Sequence, residues 1–98
     1  MRKHLEDMPR AIAVARYAEN LRRLTPRERE ILEHMLLADT AKDTARRLKL
    51  AIGTTKNLRS RVLEKLDARN SVDLLYISHE ARMSLAAAND DAGRGDRP

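Results

Sequence analysis

Four polar residues fall close together in one short run: Lys56, Asn57, Ser60 and Arg61. At helical spacing they share one side of a helix, with Glu64 following them. Thr55, Leu58, Val62 and Leu66 fall on the other side, with Leu63 beside them, and can face a core. The polar side offers hydrogen-bonding groups in its first turns. An Asn amide can engage adenine in a bidentate way, and a Lys can engage guanine. Those first turns are also the part of a recognition helix that points at base edges.

The surrounding charge agrees with that chemistry. Between Thr40 and Leu66 the bases are Lys42, Arg46, Arg47, Lys49, Lys56, Arg59, Arg61 and Lys65, against Asp43 and Glu64, so the stretch carries 8 − 2 = +6. The whole chain carries +5, so the remainder sums to about −1. Positive charge gathered in one place is the electrostatic footprint of a polyanion binder. A solvated basic helical surface has the same composition, and charge alone does not separate the two.

The elements that must position these groups can be read outward from them. The spacing predicts a short helix over Ala41 to Leu48, a tight turn over Lys49 to Gly53, and a longer helix over Thr54 to Leu66. That is the layout of a helix-turn-helix. Upstream, Thr25-Pro26-Arg27-Glu28 has the pattern of a capping box with Pro at the first helical position. Ile31, Leu32, Met35 and Leu36 then give a buried face. Glu28, Glu30 and Glu33 favour the positive end of that helix and make it a poor surface for phosphate. Earlier still, a helix begins near Asp7 or Met8, with Pro9 in its first turn. It carries a narrow apolar stripe of Ala11, Val14, Ala15, Ala18 and Leu21, widened by Ile12. Such a helix either packs on the domain or serves as a dimer or partner helix.

Downstream, Asp67 to Asn70 is a short connection. Asn70 or Ser71 caps a last helix from Val72 to about Ala87, with Val72, Leu75, Tyr76, His79 and Met83 along one stripe. From Asn89 to Pro98 one Ala is the only apolar residue, so the segment is expected to be disordered.

From Leu24 to Leu75 the chain resembles the DNA-binding domain of LuxR-type, or GerE-type, regulators. The matching pieces are L-T-P-R-E-R-E-I-L (Leu24 to Leu32), A-K-D-T-A-R-R-L (Ala41 to Leu48), T-T-K-N-L-R-S-R-V-L-E-K-L (Thr54 to Leu66) and A-R-N-S-V-D-L-L (Ala68 to Leu75). In that order they align with the family pattern without a gap, over roughly half the chain. The resemblance implies an all-α, four-helix domain over residues 24–88, sequence-specific binding of double-stranded DNA as a homodimer, and transcription control. Residues 1–23 would be a helical extension and 89–98 a tail.

Carried onto this chain, the resemblance makes Lys56, Asn57 and Ser60 the base-reading candidates. Thr54, Arg61 and Lys65 are the phosphate candidates, with Lys42 and Arg46 as secondary ones. The last helix commonly forms the two-fold contact in this family, which makes Leu75, Tyr76, His79 and Met83 the dimer candidates. Five positions depart from the family pattern. Thr44 and Thr55 stand where large aliphatic residues are usual. Ala51 stands at the N-cap of the recognition helix, often Ser. Ala38 ends the preceding helix where Gly is usual, and Lys49 likewise occupies a turn position often held by Gly.

Composition narrows the remaining possibilities. Ninety-eight residues allow one small domain, and aromatic residues are 2% of it with no Phe or Trp, so the core must be mainly aliphatic. With no Cys there is no disulfide, thiolate chemistry or Cys-based zinc site. His4, His34 and His79 lack metal-ligand spacing, and no Gly-rich phosphate loop or Ser-His-Asp order is present. The expectation is a cytoplasmic protein that is not an enzyme and needs no cofactor or metal. No signal peptide or membrane segment is expected. The competing expectation is a small interaction module that binds a larger LuxR-type regulator or RNA polymerase without reading DNA. The substitutions at Thr44, Thr55 and Ala51 keep it open.

Overall fold

The computed structural model describes residues 8–95, with side chains through residue 87. Five helices follow one another: α1 (Arg10–Leu21), α2 (Pro26–Leu36), α3 (Ala41–Leu48), α4 (Ile52–Lys65) and α5 (Ser71–Gly95). No strand occurs among the described residues, so the expected all-α class holds.

α2 starts where its capping box lies. The Glu28 amide donates to Thr25 Oγ1 at 3.1 Å, and the Thr25 amide donates to Glu28 Oε1 at 2.9 Å. Pro26 takes the first helical position, where a missing N–H costs nothing. α3 is capped by Thr40, whose hydroxyl accepts from the Asp43 amide at 3.1 Å. α5 is capped by Asn70, whose Oδ1 accepts from the Asp73 amide at 2.9 Å. Asp73 Oδ2 reaches back to the Arg69 amide at 2.8 Å.

The first three helices of the matched region, α2, α3 and α4, stop in the same way. Ala38, Lys49 and Asp67 each take a left-handed backbone, with φ of 62°, 56° and 57°. After α2, the Asp39 amide donates to the His34 carbonyl, and after α3 the Leu50 amide to the Ala45 carbonyl. After α4, the Ala68 amide donates to the Leu63 carbonyl. This is the Schellman closure, which ordinarily places glycine at the left-handed residue. None of these three is glycine, so each carries the steric penalty of a Cβ in that region.

Ile31, Met35, Val62, Leu66 and Leu74 are fully buried and join α2, α4 and α5. Ala13 and Tyr17 of α1 complete the core beside Ile77 and Ala81 of α5. α1 therefore packs on its own domain. Its buried side is not the expected stripe. Ala13, Tyr17 and Asn20 are buried, Val14 and Leu21 are half-buried, and Ala11, Ile12, Ala15 and Ala18 are exposed. Tyr17 is the largest of the buried side chains on this helix, and its position sets the phase that the alanines could not.

Two element boundaries also differ from expectation. α4 begins at Ile52 rather than Thr54, because the left-handed Lys49 reverses the chain early and leaves Ala51 as N-cap. α5 runs to Gly95, past the expected end near Ala87. Ala86, Ala87 and Ala88 are strong helix formers and no Pro interrupts the run until Pro98. The expected disordered tail thus begins on the last turns of this helix, and 96–98 lie outside the described residues. So do residues 1–7; Pro9 stands at the N-cap of α1, not inside its first turn.

Candidate nucleic-acid interface

α3, the turn 49–51 and α4 form the helix-turn-helix, and α4 packs against both α2 and α3. The inward side of α4 is held by Thr55 and Val62, both fully buried, with Leu58 and Leu63 half-buried. This fixes the rotation of the helix about its axis. Thr54, Lys56, Asn57, Ser60, Arg61 and Glu64 are all exposed as a result. The three base-reading candidates therefore share one open face with Arg61.

The two other cations of α4 turn inward. Lys65 Nζ donates to Glu28 Oε1 at 2.7 Å and to the Arg23 carbonyl at 3.3 Å, tying α4 to the start of α2. Burial pushes the Glu28 carboxyl up. Hydrogen bonds from Lys65 and Thr25, with the Lys65 charge, outweigh that and hold it below the usual carboxylate range. Lys65, a third exposed, is thus engaged in contacts within the protein. Arg59 was not singled out from the sequence. It is half-buried, and its guanidinium donates to the Asp39 carbonyl at 3.2 Å and to Ser71 Oγ at 3.3 Å. No spacing rule signals this, because Arg59 lies at the margin of the buried arc and its length decides where the charge ends.

On α3, Lys42 and Arg46 are exposed, and Arg46 pairs with Asp43 at 2.8 Å. Arg47 lies 3.7 Å from Asp39, whose Oδ2 is 2.9 Å from His34 Nδ1. The His34 hydrogen bond, strongest of these influences, and the Arg47 charge hold the Asp39 carboxyl below its ordinary value against partial burial. The hydroxyls at the two departures differ. Thr55 Oγ1 donates to the Ala51 carbonyl at 3.1 Å, whereas Thr44 Oγ1 is buried with no hydrogen-bond partner among the described residues. Ala51 makes no side-chain cap, so the first amides of α4 lack that partner.

The dimer candidates lie on a different surface. Val72 is 75%, Tyr76 66% and Met83 46% exposed, His79 is exposed and Leu75 half-buried. The core side of α5 is formed by Leu74, Ile77 and Ala81 instead. The stripe is therefore an open apolar line.

Five helices around an aliphatic core, with a helix-turn-helix whose second helix shows a basic and amide face, define the class: an all-α helix-turn-helix domain. Residues 22–78 match the family of bacterial regulatory proteins, luxR family, and the chain belongs to that family. It is similar to the uncharacterized transcriptional regulatory protein YvfU of Bacillus subtilis (strain 168), with 40% identity over 57 residues. It is also similar to the transcriptional regulatory protein DesR of the same organism, with 37% identity over 57 residues. Each match covers 58% of this chain but only 28% of YvfU and 29% of DesR. No solved structure matches the chain significantly. α1 ends just before the matched segment begins. No helix among the described residues is long and apolar enough to cross a membrane.

Proposed function

We propose that this domain binds double-stranded DNA sequence-specifically as a homodimer and regulates transcription, with α4 as recognition helix. The observation that carries the reading is the open face of α4. Lys56, Asn57, Ser60 and Arg61 are exposed together while the other half of the same helix is locked into the core. In the groove, Lys56, Asn57 and Ser60 meet base edges, and Thr54 and Arg61 meet phosphate, with Lys42 and Arg46 of α3 nearer the flanking backbone. Lys65 is left out of the phosphate set because Glu28 holds it.

The apolar line Leu75, Tyr76, His79 and Met83 supports pairing of two copies through α5, which places two recognition helices on two half-sites. The reading puts the protein in the cytoplasm, with no catalytic role and no cofactor. A module that only bound RNA polymerase or another regulator would leave the open face of α4 without a task.

Selection of bound duplexes from a random pool tests the proposal, and an enriched two-fold motif is the expected outcome. On that motif Asn57→Ala should cost about 1–3 kcal/mol and little on random DNA. Arg61→Ala should weaken both kinds of DNA alike. It should also flatten the slope of log K against log salt by about one unit per subunit. If Asn57→Ala loses equal affinity on both DNAs, the helix does not read bases in this register.

A further inference from the structure

We infer that Arg59 is a positioning residue that sets the angle between the recognition helix α4 and the pairing helix α5, and through it the half-site spacing. The inference rests on the DNA reading above. α4 packs chiefly on α2 and α3, and α5 on α1 and α2, so extensive direct packing does not join α4 to α5. Arg59 spans that join. One arm of its fork donates to the Asp39 carbonyl between α2 and α3, and the other to Ser71, the first residue of α5.

Both ends of the span are anchored. Asp39 is fixed by its amide on the His34 carbonyl and by its carboxylate on His34 and Arg47. At the other end, Asn70, the residue before Ser71, caps α5, and Val72 after it opens the exposed apolar line. A planar guanidinium holds two acceptors at a fixed angle, which an ammonium cannot do. In a two-fold dimer paired through α5, any tilt of α4 on α5 is doubled in the separation of the two recognition helices. Bases along a strand are about 3.4 Å apart, so a tilt displacing each reading face by half of that shifts the preferred spacing by one base pair.

The test repeats the duplex selection with the wild-type chain, Arg59→Leu, Arg59→Lys and Ser71→Ala, followed by affinity measurements on motifs with one base pair added or removed between half-sites. Ser71→Ala is the mild variant, because Asn70 and not Ser71 caps α5. The wild type is expected to prefer one spacing. Arg59→Leu and Ser71→Ala should keep the half-site and narrow the preference for that spacing over its neighbours, by roughly three- to tenfold, the size of one ordinary hydrogen bond. Arg59→Lys should fall between them and the wild type.

A merely stabilising role would lower melting temperature and leave the spacing preference intact. That result in both Arg59→Leu and Ser71→Ala overturns the inference while the DNA reading stands. Enrichment of a single half-site by the wild type also overturns it, since no spacing then exists to be set. If the wild type enriches nothing, the DNA reading itself falls and takes the inference with it.

Discussion

The outward face of α4 and the two flanks of its buried arc carry the same kinds of residue and do opposite work. Lys56 and Arg61 stand on the open face, exposed and adjacent to Asn57 and Ser60. Arg59 and Lys65 stand at the margins of the arc formed by Thr55, Leu58, Val62 and Leu66, and both fold back onto other helices. A rotation of roughly 40–60° around the helix, three or four positions along it, separates a cation on the open face from one that fastens the helix. Charge density along a helix-turn-helix therefore overstates what its partner meets. Of the four cations on α4, two remain on the surface.

The largest effect should come from breaking a flank. Lys65→Met removes the partner of a buried carboxylate and should cost about 2 kcal/mol, less than a fully buried pair because Lys65 is a third exposed. Lys56→Met, on the open face, should leave the melting temperature nearly unchanged and weaken DNA binding. Equal losses of stability from both would erase the contrast. The same pair predicts a pH dependence. The folded-state pKa of Glu28 is depressed, so its contribution is fully present above the unfolded value and lost as pH falls through the folded one. Asp39 is shifted in the same direction. Stability should therefore fall on acidification below the ordinary carboxylate range. In Lys65→Met that fall should shrink, measured as melting temperature against pH.

A smaller effect should distinguish the two hydroxyls behind the helix-turn-helix. Thr44→Val replaces a buried, unpartnered hydroxyl with a methyl of similar size and should stabilise by about 1 kcal/mol. Thr55→Val exchanges a bond to the Ala51 carbonyl for a methyl and should be nearly neutral. Chemical denaturation midpoints at unchanged slope would read both. Should the Thr55 variant gain more than the Thr44 variant, the inward packing of α3 and α4 is not as described.

How much of this was legible depends on what each signal measures. Helical spacing reports where Cβ atoms point, so it placed Thr55, Val62 and Leu66 inside and Lys56, Asn57 and Ser60 outside. It does not report where a long side chain ends, so it gives no sign that Lys65 pairs with Glu28 or that Arg59 bonds Asp39 and Ser71. α1 was read in the wrong phase because a stripe of alanines carries little apolar contrast, whereas Tyr17 hides a large buried ring behind a polar tip. The start of α4 was read late because Ala51 gives no capping signal and Gly53 looked like part of the turn. The closures after α2 and α3 were visible as departures, since Ala38 and Lys49 stand where the family's glycines stand.

Those closures give the smallest and most local prediction. Ala38 is exposed, has φ of 62°, and contributes no side-chain bond to its surroundings. A Cβ in the left-handed region costs about 1–2 kcal/mol, and glycine gives back about half of that through its freer unfolded chain. Ala38→Gly should therefore raise stability by roughly 0.5–1 kcal/mol, and Lys49→Gly, at φ of 56°, by a similar amount. Asp67→Gly relieves the same strain at φ of 57° but should lower stability, because Asp67 Oδ2 accepts a buried hydrogen bond from Asn20 Nδ2 at 3.3 Å. The sign change between otherwise equivalent helix ends is the test. It separates residues that only close a helix from one whose side chain also joins α1 to the end of α4. Melting curves of the three variants decide it: a gain at Asp67, or a loss at Ala38, would mean that backbone strain does not set the balance at these turns.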